Sequence, residues 1–221
     1  MSDRHELVVW DFDGTLADTR SAIIDAATHA LTTAGHPAPR PEQVTALVGL
    51  PIAELYRSLA GDPGDETIAW LVGAHRSHFL ANAAALTTLF PGVSDLLGDV
   101  AAGGARNAVA TSRTRRTLLP LMDHLGITGH FAALRTDDTV SNPKPAPDMV
   151  VELCAELGVP TNRTTVVGDT AFDVGMGNRA GSTTCGVTWG NHGRVELEAA
   201  GADHVVDTMD ELRSLLGAAV T

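Results

Sequence analysis

The chain is poor in lysine, cysteine and long apolar runs, and each shortage excludes a class of protein. Fifteen of its 221 residues are basic, and Lys144 is the only lysine among them. The formal net charge of −12, with no cluster of basic residues, argues against nucleic-acid binding, which requires neutralisation of phosphates. Two cysteines are too few for a disulfide framework. Without a long apolar run we expect neither a signal peptide nor a membrane span, which predicts a cytoplasmic protein with no membrane partner.

What the chain does have is an alternation of strands and helices. Apolar residues make up 44% of the sequence, enough for one large domain or for a core with a smaller unit. Strands are predicted at 107–110, 131–135, 164–168, 183–188 and 203–206, with helical patterns between them. Residues 18–85 show only helical periodicity, at 18–35, 42–47, 52–59 and 66–85. The predicted fold class is therefore α/β, a doubly wound parallel sheet with a second, smaller α-helical unit.

Two aspartates directly follow the first predicted strand. The apolar run 7–10 predicts a strand buried on both faces, and it leads into Asp11 and, two residues later, Asp13. A side-chain period of two sends both carboxylates to the same side, and Gly14 allows the backbone to turn away. Ligands of open α/β sheets bind at this carboxyl edge, and two close carboxylates repel each other unless a cation or a shared proton relieves them. A plain Asp-rich turn explains the pair alone about equally well.

Four further residues follow later strands or open helices. Thr111 follows the second core strand, and Lys144 lies in the proline-rich loop 142–147 before a predicted helix. Asp169 and Asp173 follow the strand that ends near Gly168. Because parallel strands end at the same edge of a sheet, these side chains are expected to converge there. A lone lysine in an arginine-rich chain indicates a position that needs a compact ammonium, unless it is a surface accident. A buried ammonium must be paired, and Asp11 and Asp169 are its expected partners.

In this order the motifs resemble those of the haloacid dehalogenase (HAD) superfamily, in its phosphoglycolate-phosphatase-like branch. The sequence Asp-Phe-Asp-Gly-Thr-Leu-Ala-Asp-Thr at 11–19 is similar to the first motif. Ser-Asn-Pro-Lys-Pro-Ala-Pro-Asp at 141–148 and Gly-Asp-Thr-Ala-Phe-Asp at 168–173 are similar to the later ones. The likeness spans nearly the whole chain. It implies a Rossmann-like core domain at 1–16 and 87–221 and an α-helical cap domain at 17–86, which opens for substrate and closes over it.

The resemblance also implies a reaction, the hydrolysis of a small phosphorylated metabolite through an aspartyl-phosphate. Asp11 would be the nucleophile and Asp13 the general acid and base. Thr111 would donate its hydroxyl to the phosphoryl group, and Lys144 would bind that group and restrain Asp11. The other residues assigned to substrate or phosphate binding are Phe12, Ser112 with its backbone N–H, and Arg113.

A magnesium ion is the cofactor that the resemblance implies. Asp11, the carbonyl of Asp13 and Asp169 would hold it, in keeping with the preference of Mg²⁺ for oxygen ligands. Asp173 would support the site or reach the metal through a water, although a carboxylate that favours a helix N-terminus is as good an interpretation. The partner is a small metabolite, and the protein is expected to be a monomer or a homodimer.

Other functions remain to be weighed against this one. The sequence Gly-Met-Gly-Asn-Arg-Ala at 175–180 fits a dinucleotide-binding fingerprint, with Glu196 at a suitable distance, but here the glycines fall inside a predicted helix. The phosphosugar mutases of the superfamily use a cap histidine and a cap lysine, whereas this chain has Ile23 and no lysine there. The cap residues that could face a substrate are the loop 48–51 and Arg20, Tyr56, Arg57, His75, Arg76 and His78, each more often a surface or packing residue.

Overall fold

The computed structural model describes residues 5–217, and its centre is a six-stranded parallel sheet. The order of strands across this sheet is β5-β4-β1-β6-β7-β8, so β1 lies in the interior and its two neighbours are parallel to it. A separate two-stranded sheet pairs β2 with β3. The strands are β1 (Leu7–Trp10), β2 (Ala17–Asp18), β3 (Thr88–Leu89), β4 (Arg106–Thr111), β5 (Phe131–Thr136), β6 (Thr164–Gly168), β7 (Thr183–Val187) and β8 (His204–Val206).

Helices connect these strands and cover both faces of the large sheet. The four helices between β2 and β3 are α1 (Arg20–Thr33), α2 (Pro41–Thr45), α3 (Ile52–Ala60) and α4 (Asp65–Leu86). Those after β3 are α5 (Val93–Ala102), α6 (Arg115–His124), α7 (Asp148–Leu157), α8 (Ala171–Ala180), α9 (Arg194–Ala199) and α10 (Met209–Leu215). The predicted α/β fold with a parallel sheet is confirmed.

Alternate side chains of β1 enter two different cores. Val8 and Trp10 pack in a cluster with side chains of α1, α5 and α6, whereas Leu7 and Val9 pack in a cluster with side chains of α7 and α8. All four side chains are buried, as the apolar run 7–10 predicts for a strand covered on both faces. This double burial holds the end of β1, and with it Asp11, rigidly at the edge of the sheet.

Helices α1, α3 and α4 form a core of their own around Leu31, Tyr56 and Leu71. The chain leaves the large sheet through β2 and returns through β3, where Ala17 pairs with Leu89 in an antiparallel ladder. This short pair is absent from the sequence prediction, because strands of two residues have no detectable periodicity. The division into core (1–16, 87–221) and cap (17–86) remains a prediction.

The glycines of the dinucleotide-like sequence lie within a helix. Gly175 and Gly177 fall inside α8, which starts after β6 has ended at Gly168. A Cβ atom at Gly177 would lie 2.5 Å from the side chain of Thr184 on β7, so this glycine lets the helix approach the sheet. The fingerprint requires its glycines in the turn between strand and helix, which excludes the dinucleotide interpretation. Within residues 5–217, no helix is long and apolar enough to cross a membrane.

Candidate active site

A buried lysine joins two aspartates at the carboxyl edge of the sheet. Lys144 Nζ lies 2.6 Å from Asp11 Oδ1 and 2.5 Å from Asp173 Oδ1, and all three side chains are buried. Burial lowers the pKa of Lys144, but the attraction of Asp11 and Asp173 is stronger, so its pKa is raised overall and the ammonium stays charged. The sequence prediction named Asp11 and Asp169 as the partners. The second partner is Asp173, and that part of the prediction was wrong.

Asp173 also caps the helix in which it lies. Its Oδ2 accepts hydrogen bonds from the backbone N–H of Thr170 at 3.0 Å and from the Thr170 hydroxyl at 2.6 Å. The capping box and the ion pair use different oxygens of Asp173. The side chain therefore lies at a helix N-terminus and beside the site at the same time, as the two interpretations of the sequence proposed. Its carboxylate is thereby fixed next to Asp11.

Asp169 is held by donors from two distant segments. Asn191 donates to Asp169 Oδ2 twice, from its backbone N–H at 2.7 Å and from its side-chain amide at 2.8 Å. The hydroxyl of Thr15 donates to Oδ1 at 3.1 Å. Gly14 has φ of +84°, and a Cβ atom there would lie 2.2 Å from Asp169 Oδ2, so only glycine leaves room for this carboxylate. The sequence motifs did not single out Thr15 or Asn191.

Asp13 lies beside the pair of Asp11 and Lys144 but has other partners. Its Oδ1 accepts a hydrogen bond from the hydroxyl of Thr19 at 2.5 Å and forms an ion pair with Arg113 Nη2. Thr19 is the N-cap residue of α1. Its hydroxyl bonds Asp13 instead, and no side-chain cap is made. Asp13 therefore links the start of α1 to the segment after β4.

The segment after β4 brings the remaining predicted residues to this edge. Thr111 is buried, and its Oγ1 accepts a hydrogen bond from the Arg113 backbone N–H at 3.2 Å. Ser112 donates its hydroxyl to the carbonyl of Gly49 at 2.8 Å, which ties this segment to the loop between α2 and α3. Phe12 is fully buried, with the Arg113 guanidinium carbon 5.9 Å from its ring centroid.

A cleft with a volume of about 90 Å³ opens above Asp11 and Asp13, between the sheet edge and the helices α1, α3 and α4. Of the predicted cap residues, His75, Arg76 and the loop residues 48–50 line this cleft. Tyr56 is completely buried behind His75. The others have partners elsewhere: Arg20 with the Gly190 carbonyl, Arg57 with Asp62 and Asp65, and His78 with Asp25.

Three buried carboxylates in this site suit a divalent cation. One oxygen from each of Asp11, Asp169 and Asp173 lies within 4.8 Å of the others. When ionised they carry three negative charges, of which Lys144 balances one. Burial raises the pKa of Asp11 well above 3.8 against the pull of Lys144, and burial together with Asp173 raises the pKa of Asp169 to about 7. Two uncompensated charges on oxygen ligands fit a divalent cation that prefers oxygen. The side chain of Asp13 stands outside this group.

The chain is similar to known proteins in both sequence and fold. The family model for haloacid dehalogenase-like hydrolases matches residues 8–187. The tyrosine-protein kinase PtkA of Mycobacterium tuberculosis is 34% identical over 216 residues, 96% of this chain and 72% of that protein. A plasmid phosphoglycolate phosphatase of Cupriavidus necator is 31% identical over 213 residues, 95% of this chain and 92% of that protein. A hydrolase from Pseudomonas syringae superposes with a TM-score of 0.85 at 26% identity, covering 96% of this chain and 97% of that structure.

Proposed function

The chain belongs to the haloacid dehalogenase-like hydrolase family and is a phosphatase, and from that premise we propose its reaction in detail. The substrate is a small phosphate monoester, the cofactor is Mg²⁺ and the reaction passes through an aspartyl-phosphate on Asp11. The observation that carries this proposal is the 2.6 Å contact of Lys144 with Asp11 at the base of a cleft that Asp13 and Thr111 also line.

In the first step, a carboxylate oxygen of Asp11 attacks phosphorus and the bond to the ester oxygen breaks. Asp13 gives a proton to that departing oxygen, so that an alcohol leaves. Lys144 holds Asp11 in place and, with the hydroxyl of Thr111 and the backbone N–H of Ser112, stabilises the charge on the phosphoryl oxygens. A carboxylate next to a fixed ammonium is suited to this attack, because the side chain is already oriented and loses no further conformational entropy when it reacts.

In the second step, water attacks the phosphorus of the aspartyl-phosphate. Asp13 takes a proton from this water, and the phosphorus–oxygen bond to Asp11 breaks, which releases inorganic phosphate, restores the Asp11 carboxylate and returns Asp13 to its protonated form. Arg113 and Thr19 support this role, since they fix Asp13 at the edge of the cleft.

The metal would be held by Asp11, by Asp169 and by the carbonyl of Asp13, and it would offset the negative charge of the phosphoryl group. The three clustered carboxylates are what supports this assignment. Asn191 and Thr15 orient Asp169 for it, and Asp173 acts through Lys144.

The helical segment 17–86 is the cap in this proposal, and it moves over the remainder of the chain. Its two connections, β2 and β3, lie side by side, which is a suitable place for a hinge. Arg20 and Ser112 make hydrogen bonds that cross between the two parts, and these would open with the cap.

The experiment is an assay of phosphate release from a panel of monoesters, with and without Mg²⁺, for the wild type and Asp11→Asn. The variant keeps the shape of the side chain, so we expect a folded protein without turnover and without acid-stable protein-bound phosphate. Asp95→Asn, at an exposed aspartate on α5 outside the segment 17–86, is the matched control and should keep full activity. Undiminished hydrolysis by Asp11→Asn would refute the proposal. Because one relative is named a tyrosine kinase, a tyrosine peptide with ATP serves as a separate acceptor assay.

A further inference from the structure

The part of the cleft farthest from the sheet is largely apolar. Helices α1, α3 and α4 and the loop before α3 supply its wall, and the side chains are those of Ile23, Val48, Leu50, Ile52, Leu55 and Phe79. The charged cap residue among the lining groups is Arg76. A leaving group that enters this space exchanges water for aliphatic and aromatic surface, which stabilises binding in proportion to its own apolar area.

His75 presents a single hydrogen-bond donor to this apolar wall. Its Nδ1 lies 2.9 Å from the hydroxyl of Tyr56, which is fully buried. If Nδ1 carried the proton, the Tyr56 hydroxyl would have no acceptor, at the cost of a buried unpaired polar group. Tyr56 is therefore the donor, and the neutral imidazole carries its proton on Nε2. Burial, reinforced by Arg113 and Arg76, lowers the pKa of His75 to about 3, so the ring stays neutral.

Arg113 supplies a second donor. Its Nη2 is paired with Asp13, and its guanidinium carbon lies 4.1 Å from the ring centroid of Phe79. Its Nε is buried and has no hydrogen-bond partner among the described residues. The Arg113 side chain is 10% exposed and lines the cleft. A buried donor without an acceptor costs free energy that a ligand oxygen would recover.

From these contacts we infer the class of leaving group, an inference that rests on the proposed function. The structure assigns the cleft to a compact, mainly apolar alcohol that carries one hydrogen-bond acceptor, read by His75 Nε2–H and Arg113 Nε–H. Polyols fit poorly, because several hydroxyls would lose water without finding partners. A leaving group with its own carboxylate also fits poorly, because the apolar wall would remove its water and Arg76 is the one cap cation among the described residues that line the cleft.

Binding of phosphonates tests this inference without turnover. In these analogues a methylene replaces the ester oxygen, so calorimetry on the full chain with Mg²⁺ reports affinity alone. Four probes are compared: hexylphosphonate, its ether analogue of equal length, and the analogues of glycerol phosphate and phosphoglycolate. We expect the ether to bind best, roughly fivefold tighter than hexylphosphonate for one neutral hydrogen bond, and both to exceed the polyol and the carboxylate.

Variants locate the preference at His75. His75→Phe keeps an aromatic ring between Tyr56 and Phe79 but removes one of the two donors, so the preference for the ether should decrease while hexylphosphonate binding is kept. His78→Phe, on the same helix but directed at Asp25, is the matched control and should keep the preference. Thermal melting confirms that both variants are folded. Tightest binding of the polyol or the carboxylate, or an unchanged ether preference in His75→Phe, would overturn the inference.

The experiment distinguishes failure of the proposed reaction from failure of the assigned leaving group. Phosphate release from p-nitrophenyl phosphate, measured on the same samples, tests hydrolysis without using the leaving-group preference. If the phosphonates bind in the expected order but no phosphate is released, the assigned leaving group is supported and the proposed reaction is wrong. If phosphate is released but the polyol analogue binds most tightly, the proposed reaction is supported and the assigned leaving group is wrong.

Discussion

Replacement of Lys144 tests the centre of the site most directly, because this ammonium holds two carboxylates at once. Lys144→Met retains much of the length and apolar stem but leaves Asp11 and Asp173 buried without their counter-charge. Removal of one partner from a buried ion pair costs about 3–5 kcal/mol. For a chain of this size, a change of 1 kcal/mol shifts the melting temperature by about 2–4 °C, so we expect a decrease of about 6–20 °C. Turnover should fall by roughly a hundredfold or more.

Lys144→Arg separates charge from shape. The guanidinium keeps the positive charge, but it is broad and planar and must fit where a compact ammonium now lies between two oxygens. We expect its melting temperature to lie between those of the wild type and Lys144→Met, with activity as low as in the latter. Amine-selective reagents add a second test, because Lys144 is the only lysine of the chain. Phosphate with Mg²⁺ should protect it from modification.

A double-mutant cycle measures the pair itself. Lys144→Met combined with Asp173→Asn leaves fewer unpaired buried charges than Lys144→Met alone, so the double variant should unfold at a higher temperature than the single one. Urea titration at constant pH gives the free energies of unfolding. Strictly additive losses, or a Lys144→Met protein as stable and as active as the wild type, would refute the argument that this lysine balances the buried carboxylates.

Three further predictions concern groups around the site. Gly14→Ala should lose more stability and Mg²⁺ affinity than Gly35→Ala, because both glycines have positive φ but only a Cβ at Gly14 would meet Asp169; equal losses would contradict this. Asn191→Ala should weaken Mg²⁺ binding, measured by calorimetry, by roughly tenfold, since Asp169 loses the side-chain amide donor while the backbone N–H of residue 191 remains. His75, with its pKa lowered by burial to about 3, takes up a proton more readily when unfolded. The contribution of neutral His75 to the free energy of unfolding should therefore be complete above pH 6.5, and below that pH stability should fall by up to about 1.4 kcal/mol per pH unit. Urea titrations of His75→Phe should show a smaller decrease.

The parts of the structure that were predictable from the sequence are those governed by local patterns. Continuous apolar runs identified the buried strands, and the helical period identified the long helix α4 to within one residue at each end. Because parallel strands share one carboxyl edge, Asp11 and Thr111 could be expected to meet there although they lie far apart in the chain. The roles assigned to them remain proposals that the variants above test.

The parts that were not predictable depend on contacts between distant residues. The hydroxyl of Thr19 had two uses open to it, the cap of α1 and Asp13, and only the position of Asp13 after folding decides between them. Likewise, Tyr56 and His75 lie 19 residues apart on different helices, so their hydrogen bond requires that α3 and α4 pack side by side. Neither contact leaves a periodic signal in the sequence.

The choice of Asp173 over Asp169 as the second partner of Lys144 follows from the donors that each carboxylate already has. Both oxygens of Asp169 are engaged: Oδ1 accepts a hydrogen bond from Thr15 and Oδ2 accepts from Asn191. Asp173 needs only Oδ2 for the helix cap, which leaves Oδ1 to accept from the ammonium. Asn191 lies 22 residues beyond Asp169 and reaches it only because the chain returns through β7, next to β6. The pairing of this lysine is thus decided by a loop that no motif includes, and the side chain of Asn191 supplies one of the three hydrogen bonds that keep the Asp169 oxygens engaged elsewhere.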